Sequence, residues 1–306
     1  MLKNLIIFGV GLIGGSFAQA FKKANPETHI IAVLRNESKH LETLSTEYKN
    51  VIDTVYFQKD ANLIPHLKTA DLILISVPVF ETENILQFIA PHINEQTTIT
   101  DAGSTKSNVI TMARHTLGDK VKQFIPGHPI AGREKNGPQA ALADLYVNKK
   151  VILTPLPENQ LQPSHLNKVR AAWESCHAMV YELDPKEHDH VFATVSHLPH
   201  LLSYALVNDI TSRQNVRQLF EYAGSGFRDF TRIAASSAQM WHDITLSNKD
   251  ALLDELDQYI QQLTILKKLI THSDSNALLT MYSNAQRARQ EWEQTNQITH
   301  DTKKST

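Results

Sequence analysis

Cysteine is almost missing from this chain. Cys176 stands alone among 306 residues, which excludes an internal disulfide and with it the disulfide-stapled secreted folds. An excess of one charge is missing too. With 30 basic against 32 acidic side chains and a formal net charge of -2, no basic face is on offer to nucleic acid or an anionic membrane, so small molecules are the better partners. The opening MLKNLIIFGVG has neither a basic leader nor an apolar run long enough for a signal peptide or membrane span, and a cytoplasmic protein is expected. Proline is absent after Pro199, and of the 11 glycines only Gly224 and Gly226 lie beyond it, which permits long uninterrupted helices there. What is present is ordinary for a globular protein, with 42% hydrophobic and 20% charged residues. At roughly 150 residues per domain the length suggests about two domains.

The first half alternates short apolar runs with helical patterns: NLIIF, LIGGSFAQAFKKA, HIIAVL, DLILISVPV, ENILQFIA, TTITD, SNVITMARHTL. Near-continuous apolar strands alternating with helices predict a parallel sheet covered on both faces. VKQFI, running into His128, and KKVILTP read as further strands, and AMVYEL as the last. From about Asp184 only helical spacing remains, as in HVFATVSHLPHLLSYALVNDI and ALLDELDQYIQQLTILKKLI, whereas the polar ending NQITHDTKKST reads as loose. The expectation is an α/β dinucleotide-binding (Rossmann) domain over 1–183 and an all-α domain over 184–306.

Nucleotide binding is read from GVGLIGGS, a G-x-G-x-x-G that follows the first strand and opens a helix. Gly9 allows the tight turn, Gly11 lets backbone approach a pyrophosphate, and Gly14 lets helix and strand pack closely, while Leu12 and Ile13 supply N–H groups at the helix start. At the end of the second strand Leu34 stands where an NAD enzyme usually places an acid, and Arg35 follows. This favours NADP over NAD by a small margin, with Glu37 also within reach of the ribose.

Four polar-dense blocks remain: TDAGSTK, GHPIAGREKNG, HDHVFATVSHLPH and GSGFRDFTRIAASSAQMWHDI. In this order and spacing they resemble the prephenate dehydrogenase family, the cyclohexadienyl dehydrogenases of tyrosine biosynthesis, over nearly the whole chain. Two departures stand out: the missing acid at Leu34, and Arg133 where a small or hydroxylated residue is usual.

The resemblance implies a reaction. Hydride leaves the hydroxyl-bearing ring carbon of prephenate for a nicotinamide as the hydroxyl loses its proton, and carbon dioxide departs as the ring aromatises. The protein has to orient the ring, accept one proton and hold two carboxylates. A base near operating pH suits histidine, and His128 matches the family's catalytic histidine. Ser104 either caps the next helix or hydrogen-bonds the substrate hydroxyl and nicotinamide. Arg232 matches the arginine that binds a substrate carboxylate, with Asp229 placed to orient it and Trp241 to close the pocket, while Arg228 has no role assigned.

His197 and His200 match the family's substrate-lining block, and His188 is read as orienting neighbours. Zinc is disfavoured because no cysteine and no H-E-x-x-H accompanies the four histidines of that block. A β-hydroxyacid dehydrogenase would need a K-x-x-x-N that residues 160 to 270 do not contain. A cofactor-binding redox sensor would have no use for His128, Ser104 and Arg232 together. The helical half, with Leu252, Leu253, Leu256, Ile260, Leu263, Ile265, Leu266, Leu269 and Ile270 covering more than one stripe, is expected to make a homodimer.

Overall fold

Runs such as NLIIF and HIIAVL become strands because branched side chains pack well on a pleated surface buried on both sides. The computed structural model describes residues 2–35, 44, 46–133 and 135–301. Among these, β1 (Asn4–Phe8), β2 (His29–Leu34), β3 (Thr54–Phe57), β4 (Leu72–Ile75), β5 (Thr98–Asp101) and β6 (Phe124–Ile125) form one sheet. Its order is β3-β2-β1-β4-β5-β6 and every pairing is parallel. Strand β1 shows the period of two. Leu5 and Ile7 pack with Phe17, Phe21 and Trp173 on one face, and Ile6 and Phe8 with Ile31, Leu86 and Val109 on the other. The strand order reverses between β1 and β4, the crevice where doubly wound sheets bind dinucleotides.

One strand expectation fails in an informative way. Gly118–Gln123 is a 3-10 turn, β6 holds only Phe124 and Ile125, and His128 belongs to a new strand, β7 (Gly127–Pro129). Pro126 is the cause, since it has no N–H to continue the ladder. Its carbonyl instead accepts the Thr154 N–H at 2.9 Å. Strand β7 pairs antiparallel with β8 (Lys150–Leu153), His128 opposite Ile152, and β8 pairs parallel with β9 (Met179–Glu182) in a separate three-stranded sheet.

After β9 the described elements are helical. The first is Pro185–Phe192, with Pro185 at its start and the Asp184 carboxylate accepting the Lys186 N–H, an arrangement that suits both residues. A π turn over Ala193–His197 leads into Leu198–Thr211, and shorter helices follow to Ala238–Ser247. The chain divides into two compact units, Met1–Leu252 and Leu253–Thr306. In the second, the helix that began at Lys249 runs to Thr271 and another spans Ser275–Asp301. The polar ending read as loose is therefore helical as far as Asp301. Ile260, Leu263, Ile265 and Ile270 are 49%, 46%, 45% and 57% exposed. Among the described residues no helix is long and apolar enough to cross a membrane.

Candidate active site

The glycine turn has the geometry an anion needs. Gly9 has φ +87°, and a Cβ there would lie 2.7 Å from the Ser76 carbonyl oxygen; one at Gly14 would lie 2.1 Å from the Gly9 carbonyl oxygen. Neither position can take a side chain. Ser76 Oγ locks the turn by donating to the Gly9 carbonyl at 2.6 Å. At Gly11 a Cβ would meet nothing within 4 Å, so an open cradle faces the start of the helix Leu12–Ala24. That helix has no side-chain cap and no acid in its first turn, leaving its leading N–H groups to an anion. These residues fit the pyrophosphate of a dinucleotide.

The ribose corner differs from expectation. Leu34 is 6% exposed and packed in the core, so its side chain is not turned toward a ribose. Arg35 is 67% exposed and lies 3.7 Å from the Glu81 carboxylate. Glu37 falls outside the described residues.

His128 is held by a network that runs through three of the four polar blocks. Lys106 is fully buried and its Nζ donates to Asp101 Oδ2 at 2.5 Å and to the Gly127 carbonyl at 2.7 Å. Asp101 also accepts the N–H groups of Gly103, at 2.9 Å, and Gly127, at 3.1 Å. Both backbone groups of Gly127 are thus fastened to the end of β5, which fixes the approach of β7 and its histidine. From the other side, His128 Nδ1 lies 2.9 Å from His188 Nε2, and His188 Nδ1 lies 2.9 Å from Asp189 Oδ1. Asp189 accepts the N–H groups of Lys106, at 2.8 Å, and Ser107, at 2.7 Å, and so caps the helix Ser107–Leu117 from 82 residues away. Burial holds His128 well below the ordinary histidine value of 6.5, and His188, Lys106 and His197 reinforce it. Burial likewise lowers His188. It resists ionisation of Asp189 as well, but the bonds from His188, Ser107 and Lys106 prevail and keep that carboxyl below its usual range.

A cavity of about 440 Å³ brings together Ser104, His128, His200, Arg232 and Trp241, with Arg133 also on its lining. Trp241 stacks on His200 at 3.6 Å between ring centroids, and His200 Nδ1 donates to the Ser196 carbonyl at 2.9 Å. Ser104 makes no cap: the helix after it begins at Ser107, and the N–H groups of Lys106 and Ser107 donate to Asp189. His197 is not on the lining. It is 2% exposed, its Nδ1 lies 3.1 Å from Asn248 Nδ2, and burial pushes it down to about 4. Asp229 is 76% exposed and 3.8 Å from Arg228, the residue left without a role. Among the described residues no three histidine, cysteine or carboxylate side chains are grouped to hold a metal.

Sequence reasoning missed Asp101, Lys106, Asp189 and Asn248. The first three lie in blocks already singled out for polar density, so the signal was present. Lys106 and Asp101 are only 5 residues apart, but the contacts that bury them reach across 21 to 83 residues and could not be read.

Comparison with known proteins supplies the family. The family profile "Prephenate dehydrogenase, nucleotide-binding domain" matches residues 17–182, and "Prephenate dehydrogenase, dimerization domain" matches 184–284. The chain is 34% identical to a prephenate dehydrogenase of Bacillus subtilis over 287 residues, 93% of this chain and 75% of that protein. It is 33% identical to the cyclohexadienyl dehydrogenase of Zymomonas mobilis over 294 residues, 94% and 96% of the two chains. Among solved structures, the prephenate dehydrogenase of Aquifex aeolicus in complex with hydroxyphenyl propionate and NAD+ superposes with a TM-score of 0.86 at 34% identity, covering 95% of this chain and 98% of that one.

Proposed function

The chain belongs to the prephenate dehydrogenase family, and on that premise we propose that it oxidatively decarboxylates prephenate to 4-hydroxyphenylpyruvate in tyrosine biosynthesis. The general activity, a prephenate or arogenate dehydrogenase using a nicotinamide dinucleotide, comes with the family. The choice of substrate rests on one observation: a histidine, a serine and two arginines line one cavity. Prephenate asks for a proton acceptor, a hydroxyl partner and cations for two carboxylates. Arogenate replaces the keto group of the side chain by an ammonium, which two guanidinium groups disfavour.

Bound in the cradle at Gly9, Gly11 and Gly14, the nicotinamide dinucleotide supplies a hydride acceptor. The chain's own residues do the rest. His128 takes the proton of the ring hydroxyl on its free ring nitrogen, and its depressed basicity keeps it unprotonated at neutral pH and ready to accept. Ser104 hydrogen-bonds the same hydroxyl and fixes its direction. Arg232 holds one carboxylate and Arg133 the other, while the stacked Trp241 and His200 form a flat wall against the ring. His197 packs edge-on behind that wall, its ring centroid 6.0 Å from that of Trp241. Aromatisation drives the loss of carbon dioxide once hydride has left, so no further acid or metal is required of the site.

Arg35 favours a 2'-phosphate and hence NADP, with Glu81 as a competing anion that limits the preference to a few-fold. The exposed apolar residues of the helix Lys249–Thr271 support a homodimer built through the helical half, with 184–306 as its substrate-binding and dimerisation domain. Absorbance of the reduced nicotinamide, followed with prephenate or arogenate and with either cofactor, tests the reading. Turnover of prephenate is expected to exceed that of arogenate. No reduction with either substrate overturns it, and light scattering from a monomer removes the dimer.

A further inference from the structure

We propose that His188 and Asp189 are positioning residues which set, through two hydrogen bonds in series, the ring nitrogen of His128 that is basic. The proposal rests on the reading of His128 as the proton acceptor.

The argument starts at the carboxylate. Asp189 sits at the N-terminus of the helix Ser107–Leu117 and accepts the N–H groups of Lys106 and Ser107 at 2.8 and 2.7 Å, so it is ionised and only accepts. A ring nitrogen 2.9 Å from it must therefore donate, which puts the proton of neutral His188 on Nδ1. The other nitrogen of His188, Nε2, is left with a lone pair. It lies 2.9 Å from His128 Nδ1, so His128 donates from Nδ1 and its own lone pair is on Nε2. The opposite tautomer of His128 would turn the His188 lone pair on Asp189 and set two acceptors face to face. His188 has no exposed side-chain area and Asp189 only 6%, so water is not available to relieve that clash.

The surroundings hold the arrangement still. Phe192 packs edge-on against His128, with ring centroids 4.8 Å apart, and tilted against His188, at 4.6 Å. Lys106 and His197 complete the titratable groups that bear on His128, and neither offers its Nδ1 a competing acceptor. Asn248 treats His197 in the same manner. Its Nδ2 donates to the Asp189 carbonyl at 2.7 Å, so the side chain cannot be turned over, and the same Nδ2 lies 3.1 Å from His197 Nδ1. That leaves the His197 proton on Nε2. In the reaction the substrate O–H bond breaks and an Nε2–H bond forms on His128, the O–H electron pair closing the C=O bond as hydride leaves the ring carbon. The His128 Nδ1–H stays hydrogen-bonded to His188 Nε2. The Asp189 charge then stands one ring and two hydrogen bonds behind the new imidazolium.

Two measurements test this. The first is a proton–nitrogen correlation spectrum of the wild-type protein with its histidines labelled by heavy nitrogen, signals being assigned by their loss in His128→Asn and His188→Asn. The Nδ1–H tautomer is expected at both rings. A His128 proton on Nε2 overturns the proposal whatever the substrate proves to be. The second separates positioning from mere support. His188→Asn keeps a donor for Asp189 but is too short to reach His128, whereas His188→Leu loses both contacts. The relay predicts that both lower kcat by about 10- to 100-fold with KM and cofactor affinity within about twofold. A purely structural role predicts that His188→Asn restores kcat, and that result overturns the relay. An Nδ1–H tautomer in a protein that turns over neither prephenate nor arogenate would sink the functional reading and leave the relay standing.

Discussion

On the His128 side of the cavity, Lys106 and His188 have no exposed side-chain area, and Asp101 and Asp189 have 2% and 6%. On the arginine side, Arg228 and Asp229 are 78% and 76% exposed, and Arg133 and Arg232 also face solvent. The first wall keeps its groups in single protonation states, because burial raises the cost of every wrong charge or unpaired donor. The second keeps its cations hydrated, so each contact to a carboxylate is screened and modest. Proton transfer thus belongs to a rigid wall and substrate choice to a wet one. Substitutions on the two sides should differ in kind: stability, kcat and pH profile on one, KM on the other.

The sharpest break comes at Lys106. Lys106→Met leaves Asp101 buried without its cation and releases the Gly127 carbonyl, so we expect a loss of about 3 to 5 kcal/mol in urea unfolding. A loss below about 1 kcal/mol would show that the N–H groups of Gly103 and Gly127 suffice for the carboxylate. Acid should act through two buried histidines, His197 behind the wall and His165 at the start of β5, where its Nδ1 lies 2.6 Å from Thr98 Oγ1. His197 and His165 are both pushed down to about 4 by burial, against an ordinary 6.5 in the unfolded chain. Above 6.5 both states are neutral and nothing changes. As pH falls below 6.5 the unfolded chain takes up protons the native state refuses, so each histidine costs about 3 kcal/mol by pH 4. Stability that stays level down to pH 5 would contradict this.

Next is the base itself. His128→Asn should lower kcat by roughly 100-fold or more with cofactor affinity little changed, and the low-pH limb of kcat/KM, placed below 6.5 in the wild type, should vanish. On the wet wall, Arg232→Gln should mainly raise the KM for prephenate. The solvent exposure of Arg232 sets the cost at about 1 to 2 kcal/mol, below what a buried pair would give. A drop in kcat with KM unchanged would move Arg232 to the catalytic side of the comparison.

The two walls were not equally legible in the sequence. His128, Ser104, Arg232 and Trp241 could be picked out because residue type and family block pointed the same way, and the cavity brings all four together. The buried wall was half seen. Asp101, Lys106 and Asp189 stood in polar blocks, but a charge run does not say whether it is solvated or paired, and these pairs form only when β5, β7 and the helix Pro185–Phe192 converge. In the fold, apolar runs gave five of the six strands of the large sheet; β3 (Thr54–Phe57) was not read, and KKVILTP and AMVYEL, read as further strands of the same series, form the separate sheet. Such runs could not show that Pro126 would move His128 into a second, antiparallel pairing, because a broken ladder is decided by a partner strand far along the chain. Asp229 was placed by its nearness to Arg232 in sequence, and the ion pair the structure shows for it is with Arg228.

The smallest expected effect is at the cofactor. An acid placed at Leu34 would be the obvious route to NAD, but that side chain is 6% exposed in the core, so Leu34→Asp would bury a carboxylate and unsettle β2 before it met a ribose. Arg35 is the cleaner probe. Its exposed guanidinium is shared with Glu81 at 3.7 Å, so removing it should weaken a 2'-phosphate contact without disturbing the core. Arg35→Ala is expected to shift the ratio of kcat/KM for NADP over NAD down by about threefold to tenfold, on the scale of one exposed charge contact. Glu81→Gln should move the same ratio the other way, since it frees the guanidinium from its competitor. If neither substitution changes the ratio, Arg35 lies outside the ribose site and the choice of cofactor is made elsewhere along that edge of the sheet.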